Sequence, residues 1–246
     1  MLSTIHNKLS DEIKQLDSQV NLNRDNPFPK SNFYWIISGG AGSGKTSLLL
    51  NMLKIPVEDG GFRKFFNNIF LISPTSRLDP KLEPLCKELE RDGKCFEELN
   101  DEIISEIMDR IRQFNEDFKE DEKNKGKKPN SLVILDDCLA SLPKSQKKSK
   151  LHKLIISRRH LKTSIVCLTQ KYNAVPTLHR SNANVISFFP SMNKKEENSL
   201  MDDISVDEKI FRPILDFSTD EPFSFLHIKL GQGKPIFFKK FDKIIL

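Results

Sequence analysis

The stretch Trp35–Leu53, WIISGGAGSGKTSLLLNML, sets four glycines and one lysine between an apolar run and a leucine-rich one. Gly39, Gly44, Lys45 and Thr46 have the spacing G-x-x-x-x-G-K-[ST] of a phosphate-binding loop. The apolar residues Phe33 to Ser38 read as a buried strand, and TSLLLNMLK reads as a helix that stops before Pro56. A strand, a glycine loop and a helix in that order let backbone N–H groups turn inward around phosphate oxygens while the helix points its positive end at them. Gly39, Gly40, Ala41, Gly42, Ser43, Gly44, Lys45, Thr46 and Ser47 are therefore the predicted triphosphate cradle. Lys45 is expected to neutralise the β and γ charges, and Thr46 to ligate Mg²⁺.

Such a site needs an acidic group at the end of a second buried strand. LVILDD, Leu132 to Asp137, supplies two. Asp136 is the expected Mg²⁺ holder, and Asp137 the carboxylate that orients or deprotonates an attacking water. TSIVCLTQ, Thr163 to Gln170, is a third apolar run and ends in a polar amide. Its place at the carboxyl edge of a sheet predicts that Gln170 senses the γ-phosphate. NIFLIS (from Asn68) and NVISFF (from Asn184) complete five strand signals that alternate with helical stretches, which predicts an α/β fold with a mainly parallel sheet.

The remaining segments are organised around that sheet. Ile5, Leu9, Ile13 and Leu16 recur at helical spacing, so residues 1–30 read as a helical extension and linker and 31–246 as the main domain. Two or three helices are expected between Lys81 and Phe118. Near the end, FSFLHIKLGQGKPIFFKKFDKII alternates apolar and polar residues about a glycine turn, which predicts an antiparallel hairpin.

Composition narrows the class. The chain has 246 residues, enough for one sizeable core. Its mean hydropathy is −0.44 and it holds no apolar run near the ~20 residues a membrane span needs, so an integral membrane protein is not expected. The first residues lack the apolar region of a secretion signal, which predicts retention in the compartment of synthesis. The 4 cysteines (Cys86, Cys95, Cys138, Cys167) have no metal-ligand spacing and read as reduced thiols. A net charge of +5 permits an acidic partner without requiring one. GTP is disfavoured: the nearest approach to a guanine clamp, NKKE from Asn193 to Glu196, ends in glutamate and lies in a helical setting. ATP with Mg²⁺ is the expected cofactor pair.

Four segments in this order carry a family likeness: SGGAGSGKTS (Ser38–Ser47), LISPTS (Leu71–Ser76), VILDD (Val133–Asp137) and SRRHLKTSIVCLTQ (Ser157–Gln170). Together with the closing FFKKFDKI they resemble the FtsK–HerA superfamily of ring-forming translocases, and within it the poxvirus-type genome-packaging ATPases of large double-stranded DNA viruses and virophages. The resemblance implies a RecA-like (ASCE) P-loop NTPase core with an extra strand between those bearing the two nucleotide motifs. It implies a hexameric or pentameric ring threaded by duplex DNA, and ATP hydrolysis at subunit boundaries. Its further implications are a viral capsid or membrane vertex protein as partner and a place in the host cytoplasm at the assembly site, or in the virion. Many ring ATPases have glutamate where this chain has Asp137.

A neighbouring subunit should supply an arginine finger, for which Arg158, Arg159 and Arg180 are candidates and Arg180 is preferred. Lys144, Lys147, Lys148, Lys150 and Lys153 form the densest basic run and are expected to grip DNA phosphates without reading bases. A nucleotide-gated assembly scaffold and a helicase are the alternatives. A scaffold would need neither Asp137 nor Gln170.

Overall fold

A computed structural model describes residues 3–5, 26–28, 31–139, 149–191, 193–231 and 233–245. The five expected strands all form: β2 (Tyr34–Ser38), β3 (Asn68–Ile72), β5 (Ser131–Asp136), β6 (Thr163–Thr169) and β7 (Val185–Phe188). A two-residue β4 (Cys95–Phe96) adds to β3. These six run parallel in the order β7-β2-β6-β5-β3-β4. Thus β6 lies between the strand that feeds the glycine loop and the strand that ends in Asp136, as the family resemblance implies.

Each parallel strand is apolar on both faces because helices cover both. On β2, Tyr34 and Ile36 face one core, with α3 (Asp101–Glu120), α4 (Lys150–Ser157), α6 (Lys194–Ile204) and α7 (Glu208–Ser218). Trp35 and Ile37 face the other, with α1 (Lys45–Lys54) and α2 (Glu83–Glu90). Phe28, Phe33, Phe62 and Phe66 fill that second core with tilted and edge-on ring contacts, which gives the phenylalanine-rich composition a packing role.

Helix α3 shows how local signals fix these elements. The Asn100 side chain accepts from the N–H of Ile103 at 2.8 Å, and Asp101 and Glu102 favour the positive helix end. Ile104, Ile107, Met108, Ile111 and Phe118 then form one buried stripe, each worth roughly 1.5–3 kcal/mol of apolar burial. The two helices α2 and α3 meet the expectation for this region. The thiols are free, yet the fold brings the Cys86 and Cys95 sulfurs to 2.6 Å, a proximity that their sequence spacing hides.

The closing segment forms the expected antiparallel hairpin, β8 (Leu226–Lys229) and β9 (Ile236–Lys239), and a third strand, β10 (Asp242–Ile245), extends it into a meander. Lys240, at φ 54°, turns the chain between the last two. Ser3–Ile5 is a strand, β1, paired antiparallel with β10 through Thr4 and Ile244, not the start of a helix. The open edge of β10 overrides a weak helical period. Residues 26–28 are also built into the domain: Phe28 is buried, and the carbonyl of Pro27 contacts His227 Nε2 at 3.0 Å. The rest of the expected leading helix lies outside the described residues. Among the described residues, no helix is long and apolar enough to cross a membrane.

Candidate active site

The loop leaves β2 at Gly39, whose N–H donates to the Thr169 carbonyl of β6 at 3.1 Å. A Cβ at Gly39 would meet the Phe189 Cβ at 2.6 Å, so close approach requires glycine there. Gly44 precedes α1 with φ 105°, a left-handed conformation that side chains resist. The helix it opens has no side-chain cap and no acidic residue in its first turn. Its first N–H groups are therefore available to an anion. Ser43 Oγ is buried without a hydrogen-bond partner among the described residues. An orphaned donor in an uncapped cradle fits a bound phosphate.

Lys45 is buried and its ammonium donates to the Gly39 and Gly40 carbonyls at 2.7 and 2.9 Å. Two of its three protons hold the loop, and the third is left for a phosphate oxygen. Burial lowers its pKa, and Asp137 and Asp136 pull it back up. Thr46 follows on α1, half-buried.

The acids stand at the end of β5. Asp136 is buried, and its Oδ2 accepts from Ser73 Oγ at 2.8 Å. Burial raises its pKa, an effect that the Ser73 hydroxyl opposes. A buried carboxylate with a single neutral donor among the described residues fits a divalent cation. Asp137 has φ 46°, a conformation Asp tolerates better than most residues. Its N–H donates to the Leu168 carbonyl at 3.1 Å, and its Oδ2 accepts from Gln170 Nε2 at 2.9 Å. Thus β6 delivers an amide directly to the second acid. Ser73 was not singled out from the sequence. Its signal is the one that marks Gln170: a polar residue just beyond a buried parallel strand.

The sequence model for the poxvirus A32 protein family matches residues 19–214. The chain belongs to the poxvirus A32 protein family. With this loop and these acids, the A32-family chain is a P-loop ATPase. The genome packaging NTPase B204 from Sulfolobus turreted icosahedral virus 2, in complex with AMPPCP, is similar over 86% of this chain and 97% of that one, at 14% identity and a TM-score of 0.58. The DNA-packaging ATPase B204 from Sulfolobus turreted icosahedral virus gives 84%, 97%, 13% and 0.60. The pCW3 conjugation coupling protein TcpA, with ATPγS, covers 86% of this chain and 61% of its own length, at 13% identity and a TM-score of 0.51. At these identities the likeness is one of fold. Comparison with curated proteins finds no match.

In this A32-family chain the candidate arginines separate by their surroundings. Arg158 is buried and donates to the carbonyls of Asn32, Ile155 and Asn182 and to Asn184 Oδ1, a structural clamp. Arg180, the preferred finger, is also turned inward. Its Nε donates to Asp203 Oδ2 at 2.6 Å, its Nη1 to the Val175 carbonyl, and its guanidinium lies over Tyr172. Its side chain is only 10% exposed, so the geometry argues against a reach into another subunit. Arg159 is exposed and its guanidinium has no partner among the described residues. It sits just before β6, at the end of the sheet opposite the glycine loop, where a role at its own site is out of reach.

Lys144, Lys147 and Lys148 lie outside the described residues. Lys150 opens α4, exposed, and its N–H donates to Asp101 Oδ1 at 2.8 Å. Lys153 is exposed on the same helix.

Proposed function

We propose that this chain is an ATP-driven translocase that packages double-stranded viral DNA into a preformed capsid, working as a ring that docks on a capsid or membrane vertex protein. The observation that carries the reading is the Asp137–Gln170 hydrogen bond beside Lys45. A protein that bound nucleotide only to assemble would need neither group. The packaging enzymes of similar fold support the choice of DNA as substrate.

The residues divide the work as follows. Residues 39–47 enclose the triphosphate, and Lys45 offsets its charge. Thr46 and Asp136 would hold Mg²⁺, which supplies charge neutralisation on the phosphates when bound. Gln170 fixes one Asp137 oxygen, and the other is without a partner among the described residues. That free oxygen takes a proton from water as the water oxygen bonds to the γ-phosphorus and the bond to the β–γ bridging oxygen breaks, giving ADP and phosphate. Arg159 of a neighbouring copy balances the charge that develops. The lysines at 144, 147, 148 and 150 follow directly on the strand-end acids in the chain and grip DNA phosphates.

ATP turnover measured without DNA, with single strands and with duplex tests the whole. Duplex of any sequence should stimulate turnover, and the stimulation should fall steeply with salt. Charge reversal at Lys147 and Lys148 should remove the stimulation and spare the basal rate. DNA-indifferent, negligible turnover would favour an assembly scaffold, and stimulation by single strands alone would favour a helicase. A second expected outcome concerns the loop: Lys45→Ala lowers turnover by about 10²–10³-fold, the scale for removing one preorganised charge donor, as a phosphate-release assay would record.

A further inference from the structure

Between α7 and β8 the chain turns through Glu221, Pro222, Phe223 and Ser224, closed by the Ser224 N–H donating to the Glu221 carbonyl at 3.1 Å. Proline second and a positive φ third is the pattern of a type II turn, whose third position calls for glycine or asparagine. Phe223 occupies it at φ 61°. A bulky residue in that conformation is an outlier that needs a compensating use. Core packing is not that use, for the ring is 69% exposed. Among the described residues it is the one exposed phenylalanine, tyrosine or tryptophan.

Its position is specific. The ring edge, at Cδ1, lies 3.6 Å from where a Cβ would stand on Gly44, the residue that opens α1. The Phe189 ring borders the same glycine, and Phe189 packs on Phe225, with ring centroids 4.9 Å apart. The turn is held from the sheet side as well: Lys239 pairs with Asp220 at 2.7 Å and Lys240 with Glu221 at 3.5 Å. A strained backbone, anchored on both flanks, thus presents a bare aromatic face beside the phosphate cradle.

We propose that Phe223 is the stacking platform for the base of the bound nucleoside triphosphate. The proposal rests on the nucleotide reading of the loop and adds a second, base-contacting part to that site. A triphosphate held by residues 39–47 must carry its nucleoside out along the rim of the loop, and a flat apolar ring there shields one face of the base from water. Stacking on a phenyl face accepts any base, so this contact gives affinity rather than base choice.

The test compares two ligands that share the phosphate chain and differ in the nucleoside: the ATP analogue AMPPCP and inorganic tripolyphosphate, each titrated by calorimetry with Mg²⁺. In Phe223→Gly and Phe223→Leu, AMPPCP should bind about 10- to 100-fold more weakly, the range for loss of one base–aromatic contact, while tripolyphosphate affinity stays within about twofold. Phe223→Trp should restore AMPPCP binding. Glycine suits the turn, so Phe223→Gly should also melt no lower than the wild type. Unchanged AMPPCP affinity overturns the proposal, as does an equal loss for both ligands. A wild-type protein that binds tripolyphosphate but gains nothing from the nucleoside overturns it too, leaving the loop reading standing. One that binds neither ligand removes the loop reading itself.

Discussion

Arg159→Ala should lower ATP turnover by about 10³- to 10⁵-fold with nucleotide binding intact, the scale on which an arginine supplied in trans acts in phosphoryl transfer. The proposal favours this residue because it is exposed, its guanidinium is unpartnered among the described residues, and it lies before β6 at the end of the sheet opposite its own glycine loop. Arg180→Ala gives the contrast. That change strips Asp203 and the Tyr172 ring of a largely buried cation, so it should cost roughly 3 kcal/mol of stability, seen as a lower melting temperature. Turnover per folded molecule should survive it. The reverse pattern would return the finger to Arg180 and require that its ion pair open on assembly.

Asp137→Asn should reduce turnover by about 10²- to 10⁴-fold, the usual value of a positioned general base, again without loss of nucleotide affinity. The substitution is structurally mild for two reasons. Asparagine tolerates φ 46° as well as aspartate does, and its amide oxygen can still accept from Gln170 Nε2. What disappears is the capacity to take a proton. The two variants can also be mixed. In a mixed ring, an Arg159→Ala copy offers an intact Asp137 to the intact Arg159 of an Asp137→Asn copy. Turnover should therefore recover at those boundaries, reaching about a quarter of the wild-type rate for random equal mixing if the arginine acts in trans. If the mixture is as inactive as its components, Arg159 does not act across a boundary.

The sequence carried the centre of the molecule and lost its periphery. The central strands are apolar throughout because helices bury both faces, so the runs ending in Ser38, Asp136 and Thr169 stand out without any structural aid. The loop follows from one motif, and the polar residues that finish its neighbouring strands locate the rest of the site. At the rim the signals weaken. β10 has only Ile244 buried, and β1 is three residues long, too short for any period to register. Pro213 argues against α7, yet the helix persists because Asp207 caps it and Phe211, Ile214 and Leu215 are buried along it. Choosing between Arg180 and Arg159 depended on Asp203, a partner twenty-three positions further along that only the tertiary fold brings within reach. Phe223 escaped notice because its meaning lies in a backbone angle.

The outer strands of the sheet set a rule for assembly. It finishes in the two residues of β4 on one side and the three of β1 on the other, among the described residues. Stubs of that length offer few free amide and carbonyl groups to a second chain, which guards against edge-to-edge polymerisation. In the proposed ring, copies would then meet through side-chain surfaces, where registry is chosen by shape and charge, and a closed circle would form without competition from an endless ribbon.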